Sequence, residues 1–458
     1  MHQTIHKTIL AGVASAALAW GTAAVGADWI PSDPNAKIDP TATTLITNVS
    51  IFNGTDETLI TGKDVVIKGN MIDSIVDAGG DTSAYGAVVD GKGGFLSPGL
   101  IDVHWHSMMP ISPGALINSP LNYVAGIAAW ESGERVKRGV TTVRDAGGAT
   151  AGLKKAIDEG YVTGPRIYPS MAVLGQYSGH VDFRNPNFLP KEWGGPRTPL
   201  EQIGLGLTAN GVDEVLQATR DNLYKGASQI KMAVTGGVIS FTDPLYVHEF
   251  LPEEIEAAVK AAEDYGTYVF VHAHSPGGIK RAINAGVQSV DHNSLADEET
   301  IKLMAEKGTH MSVQVLVAEN IVKQYPEGDV RQAKAQQAVD GTDAVMKLAI
   351  KHGVKMAWGT DLLDDLENRA QQLHDLTIRT KWFTSAELMV QATGNGGATV
   401  ALTGKRNPYG KLGVIEAGAM ADILIYDKNP LADITIIEDY ENNLDFIMKD
   451  GFVHKNEL

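Results

Sequence analysis

The sequence has no cysteine. That absence excludes disulfide staples, thiolate nucleophiles and cysteine-ligated zinc, so any metal must be held by histidine, carboxylate or a lysine derivative. The chain is also short of positive charge, with 38 Lys and Arg against 55 Asp and Glu and a formal charge of −17. A surface of that sign repels phosphate backbones and no basic cluster reverses it, so nucleic acid is not an expected partner. Past the N-terminal segment there is no apolar run long enough to cross a bilayer. There is likewise no Gly-rich dinucleotide turn after the first strand to mark a doubly wound open sheet. What is present, 43% hydrophobic and 20% charged residues, is enough to bury a large core.

Residues 1–27 carry Lys7, then the small apolar run Ile9 to Ala19, then Val25-Gly26-Ala27 before Asp28. This order of basic, apolar and small residues reads as a secretory signal peptide. A retained membrane anchor is the competing reading, but the run is short and rich in Ala and Gly. With no cysteine to acylate, the mature protein is expected to be periplasmic or secreted and free of the membrane.

A catalytic barrel takes roughly 250 residues, so 458 residues leave room for a second, smaller unit. Thr44 to Phe52, Lys63 to Lys68 and Met71 to Val76 alternate apolar with polar residues between Asn53-Gly54, Gly62 and Gly69-Asn70, the pattern of short antiparallel strands. Ala421 to Asp427 and Phe446 to Val453 have the same texture. Between the two ends, short apolar runs alternate with helical patterns, the signature of βα units. The candidate strands are 95–103, 141–144, 166–174, 229–234, 268–271, 289–291, 310–315 and 355–358. The expected fold is therefore α/β: a (β/α)8 TIM barrel over 97–404, flanked by a small β-sandwich domain built from 28–96 and 405–458.

The strongest local signal is Ser97-Pro-Gly-Leu-Ile-Asp-Val-His104-Trp-His106, an apolar strand ending in two histidines. Side chains at i and i+2 of a strand share a face, so at the C-terminal rim of a barrel both imidazoles can grip one divalent metal. Lys231, His272, His292 and Asp361 fall at the ends of other predicted strands, where barrel enzymes keep their catalytic groups. His272 and His274 can face the same side. His272 sits deeper in the strand and is assigned to metal, leaving His274 to bind a substrate carboxylate or a developing oxyanion.

From the Pro98-to-His106 strand through Asp361, the chain resembles the metal-dependent amidohydrolase superfamily. Within it, Thr141-Thr-Val-Arg-Asp-Ala-Gly147, Lys231-Met-Ala-Val-Thr-Gly-Gly237 and Gly359-Thr-Asp361 look most like the imidazolonepropionase-related branch. That branch contains prolidase-like and Xaa-Arg dipeptidases and ochratoxin-degrading amidases. The resemblance implies that carbon dioxide carboxylates Lys231 to a carbamate bridging two divalent ions, zinc by default. It places His104, His106 and Asp361 on the more buried ion and His272 and His292 on the more exposed one. A metal-bridging hydroxide would attack the substrate carbonyl, with Asp361 passing its proton to the leaving amine.

His180, in Tyr177-Ser-Gly-His180 after the third strand, is a candidate for the same substrate-binding role as His274. Arg144 can bind a carboxylate or form a structural Arg–Asp pair and stays outside the site, while Tyr246 is expected to pack. The activity so implied is hydrolysis of amide bonds in dipeptides or N-acyl amino acids with a free C-terminal carboxylate. Ring opening by a cyclic amidohydrolase or imidazolonepropionase-like enzyme is a second reading, against which Lys231 argues. A non-catalytic periplasmic binding protein on a barrel scaffold is a third, against which the complete ligand set argues. The partner is a small amide or peptide substrate, and relatives of this kind commonly form homo-oligomers.

Overall fold

The computed structural model describes residues 29–363 and 365–458; the signal peptide expected over 1–27 lies outside them. The alternating segments at the two ends of the chain meet as anticipated. Strands β1 (Thr43–Thr47), β2 (Ser50–Phe52), β3 (Leu59–Ile60), β4 (Lys63–Lys68), β5 (Met71–Asp77), β6 (Ala87–Asp90) and β7 (Phe95–Pro98) come from the N-terminal part. One sheet has the order β5-β4-β1-β6. The other adds the last three strands, Ile423–Tyr426, Leu444–Lys449 and Phe452–Asn456, to β7, β2 and β3. Ile46, Ile51, Val65, Leu96, Ile425 and Phe446 fill the space between the sheets. Each such side chain contributes about 1.5–3 kcal/mol by leaving water.

The run 95–103, read from sequence as one barrel strand, is divided at Gly99. Phe95–Pro98 pairs antiparallel with Ile423–Tyr426 in the flanking domain, and only β8 (Leu100–Trp105) belongs to the barrel. A Cβ at Gly99 would lie 2.1 Å from Thr141 Oγ1, so the chain can pass from one domain to the other here only without a side chain. This crossing sets where β8 ends, and hence where His104 and His106 emerge.

The barrel continues through β9 (Val140–Asp145), β10 (Arg166–Tyr168), β11 (Val173–Gly175), an outlying β12 (Gly206–Thr208), β13 (Ile230–Ala233), β14 (Val269–Ala273), β15 (Ser289–His292) and β16 (His310–Ser312). Neighbours are parallel. The third predicted strand is broken in two around Met171, whose φ is 59°; its first half pairs with β9 and its second with β13. The eighth, 355–358, is an extended segment bridged to β16 only at Met311–Met356. Ala357 N donates to Met311 O on one side, and Val103 N donates to Trp358 O on the other, both at 2.9 Å. Those bonds close the ring of strands and bring Asp361 beside His104.

Helices cover the outside. The helix Pro252–Asp264 starts with Pro at its first turn and Glu253 and Glu254 near its positive end. It buries Ile255, Ala258, Val259 and Ala262 against the barrel wall.

Candidate metal centre and active site

Strands β8, β13, β14 and β15 and the segment after 355–358 deliver the site residues to one cavity. His104 and His106 leave β8 two residues apart, and with Asp361 they form a group whose ligand atoms all lie within 4.8 Å of one another. His104 Nε2 and His106 Nε2 stand 3.4 and 3.2 Å from Asp361 Oδ1. A second such group joins His272 and His274 of β14 to His292 of β15. The two adjoin: the His104 and His292 ring centres are 5.1 Å apart, and His292 Nε2 is 3.9 Å from Asp361 Oδ2. Lys231, from β13, is buried with its Nζ 4.6 Å from the Phe270 ring centre. All these residues and His180 line one cavity of about 120 Å³. His274, expected to serve the substrate, thus stands close enough to His272 and His292 for the three to share one ion.

Two of these positions hold left-handed backbone, His292 at φ 75° and Asp361 at φ 54°. Such conformations cost of order 1–3 kcal/mol each and persist where the surroundings enforce them. Here Asp361 N donates to His104 O, and His292 N donates to the Gln314 side-chain carbonyl, both at 2.8 Å.

The charge states suit a cation. Burial pushes His104 down to about 4 and His274 down to about 3, and it drives His272 and His292 the same way, so the imidazoles are neutral and keep a lone pair. Asp361 is buried, yet His104, His106 and Lys231 beside it hold its carboxyl below the ordinary value. Burial also pushes the Lys231 ammonium down to about 8, with Arg144 adding to the effect and Asp291 opposing it. Asp361 Oδ1 and His274 Nε2 are buried without a hydrogen-bond partner. Orphaned atoms of this kind are expensive unless something else binds them. Neutral imidazoles, an ionised carboxylate and two unpartnered donor atoms fit a divalent metal centre.

Sequence reasoning missed Asp291. Its Oδ2 lies 2.8 Å from His104 Nδ1 and 3.4 Å from Lys231 Nζ. The contact leaves His104 Nε2 as the nitrogen facing the group, as carboxylates behind metal-binding histidines do. Arg144 NH2 binds both oxygens of Asp291, and the rest of its guanidinium reaches Val103 O, Tyr268 Oη and Ser289 Oγ. Arg144 is therefore the structural half of a buried ion pair, with Asp291 as partner rather than its neighbour Asp145. Asp145 instead accepts from Ser107 N and Gly147 N. An acid inside a predicted strand, directly before His292, was the available signal. Tyr246, expected to pack, is 73% exposed and touches none of this.

His180 stacks on His272 with ring centres 4.2 Å apart, and its Nδ1 is 2.8 Å from Ser240 Oγ. Away from the histidines, Val181, Phe183, Leu200, Leu205, Val238 and Ile239 make the wall apolar, and among the described residues no arginine lines it. The arrangement can hold cations, polarise a carbonyl at one end and receive an apolar group at the other.

A model of the amidohydrolase family matches residues 95–453. The ochratoxinase of Aspergillus niger is 32% identical over 368 residues, which is 75% of this chain and 72% of that protein. The imidazolonepropionase of Idiomarina loihiensis is 26% identical over 406 residues, 85% of this chain and 92% of that one. Among solved structures, a prolidase complexed with N-methylphosphonate-L-proline superposes with a TM-score of 0.82 at 30% identity, covering 91% of this chain and all of the other. The chain belongs to the amidohydrolase family, on its imidazolonepropionase-related branch, and is a metal-binding hydrolase of carbon–nitrogen bonds.

Proposed function

Taking that membership as premise, we propose that the protein hydrolyses the amide bond of dipeptides or N-acyl amino acids bearing a free C-terminal carboxylate, at a centre of two divalent cations. The observation that carries this reading is the adjacency of the two ligand groups around one buried lysine. His104, His106 and Asp361 would hold one cation, and His272 and His292 the other, with His274 within reach of it. Lys231, as its carbon dioxide adduct, would be shared. The lowered affinity of this lysine for its proton supports the adduct, because only the neutral amine adds to carbon dioxide.

Such a pair of cations, zinc by preference, supplies an activated water and a Lewis acid for the carbonyl. The protein's own groups do the rest. Asp361 takes the proton of the attacking water and delivers it to the departing amine. His274 and His180 line the polar side of the cavity that takes the substrate, and the apolar wall keeps bulk water out. The L-proline part of the ligand bound by the similar prolidase carries a free carboxylate, which supports a substrate with an acidic end. We further propose export directed by residues 1–27, which N-terminal sequencing of the secreted or periplasmic protein tests directly.

The substrate reading is tested by screening dipeptides and N-acyl amino acids on metal-replete mature protein, beside C-terminally amidated controls. Free acids should be cleaved and amidated ones spared. Equal cleavage of both would sink the carboxylate requirement.

A further inference from the structure

His180 sits in a setting that the reaction outlined above does not use. The segment after β13 folds back over it. Ser240 Oγ lies 2.8 Å from His180 Nδ1 and 2.6 Å from Asp243 Oδ2, and that same carboxylate oxygen accepts from Gly237 N at 2.7 Å. Asp243 is buried, but its contacts with His180, Ser240 and the Gly237 amide keep it below the ordinary carboxylate value, so it is an acceptor only. A serine hydroxyl has one hydrogen to give. At 2.6 Å from an ionised carboxylate, that hydrogen belongs to Asp243, and the Ser240 oxygen can only accept from His180. Nδ1 of His180 must then carry the N–H.

The rest of the setting fixes where the ring lies. A Cβ at Gly237 would come within 2.1 Å of His180 Nδ1, so glycine is required for the ring to lie there. His180 N donates to Glu249 Oε1 at 2.7 Å. Lys334, reaching from the helix Val330–His352, donates to Gly237 O and Ser240 O, both at 2.5 Å, and to Asp243 O at 3.3 Å. This ammonium therefore pins the segment through its backbone. With the Nδ1 edge occupied and one face against His272, Nε2 is the ring nitrogen left for the cavity.

We propose that Ser240 and Asp243 are positioning residues that lock His180 in the Nδ1–H tautomer and present its Nε2 to the substrate as a hydrogen-bond acceptor. The group it reads is therefore an N–H donor, the amide or amino nitrogen of the substrate, and not the carboxylate or oxyanion for which His180 was a sequence candidate. This assignment of the partner rests on the amide-hydrolase reading above; the tautomer does not.

The two are tested separately. In zinc-loaded protein labelled with 15N-histidine, His180, identified by the signal missing from His180→Gln, should show a protonated Nδ1 and an unprotonated Nε2, with no substrate present. Ser240→Ala should mix the tautomers and Ser240→Thr should restore one. Ser240→Ala should also lower kcat/KM by about 10- to 100-fold, the range for groups that orient a functional side chain, at unchanged zinc content. In the His180→Ala background the same substitution should have no further effect. An Nε2–H tautomer in the parent protein would overturn the proposal, and so would additive losses in the double variant. If no amide is cleaved at all, the function reading fails while the tautomer measurement still decides the rest.

Discussion

Two histidines of the cavity are each held at Nδ1 on the side of an aspartate, and the two holdings differ in depth. His104 meets Asp291 directly, inside the barrel, and Asp291 is gripped through both oxygens by Arg144. His180 meets Asp243 through the Ser240 hydroxyl, in a segment between strands that Lys334 ties down by its carbonyls. The inner holding consists of groups already fixed by strand geometry, and its Asp291 and Arg144 are charges that folding must pair. The outer one consists of loop atoms whose shape is set by a few hydrogen bonds. The same chemical device thus serves the metal end, where precision is inherited from the sheet, and the substrate end, where it must be built.

Disrupting the metal end itself should have the largest effect. Lys231→Ala and Asp361→Ala are each expected to reduce turnover by about three orders of magnitude or more, matching the several kcal/mol that a metal centre supplies. Lys231→Ala should also lose bound metal, measured per chain by elemental analysis. Full activity in either variant would remove the mechanism.

The next largest effect tests the inner holding against the outer. Asp291→Ala leaves Arg144 buried without its carboxylate, which costs about 3–5 kcal/mol, and it frees the His104 ring, which should weaken metal binding about 10- to 100-fold. Chemical denaturation and metal titration read the two effects separately. Ser240→Ala should show neither. If Asp291→Ala kept its stability and its metal, depth would not distinguish the two aspartates.

Much of this site was legible in the chain because strand periodicity places side chains without knowledge of the fold. His104 and His106 share a face by their spacing, and Lys231, His272, His292 and Asp361 each fall at the end of a predicted strand. The division of the run 95–103 at Gly99, which gives its first half to the flanking sheet, was not legible, since it turns on the close approach of Gly99 to Thr141 rather than on any local pattern. The Arg144–Asp291 pair was hidden for the same reason: 147 residues separate the partners, and only ring closure brings them together. The Ser240–Asp243 cradle lies in a stretch with no periodicity at all, so its polar residues looked like any solvated loop.

A smaller effect concerns what the outer wall admits. Ile239 belongs to the segment that cradles His180, and it lines the cavity with Val238. Ile239→Ala should cut the preference for N-acetylphenylalanine over N-acetylalanine by about 10-fold, the scale of a lost apolar contact in a specificity pocket. An unchanged kcat/KM ratio would mean that the substrate side chain lies elsewhere.

The smallest effect is one of stability and pH, at Glu249 beneath the outer holding. Burial, with Asp243 and Asp182 adding to it and the His180 amide opposing, pushes its carboxyl well above the ordinary 4.5. Oε1 accepts from His180 N, while Oε2 is buried without a partner. The folded protein therefore keeps a proton that the unfolded chain gives up above about 4.5. Stability from this group is complete below that value and is lost as pH rises towards the folded-state pKa. Glu249→Gln retains an acceptor for the His180 amide and has no proton to lose. Its melting temperature should match the parent in acid and exceed it by a margin that widens through neutrality. A margin that stayed constant across pH, or narrowed, would mean that Glu249 is ionised in the fold and that a charge, not a neutral acid, supports the His180 loop.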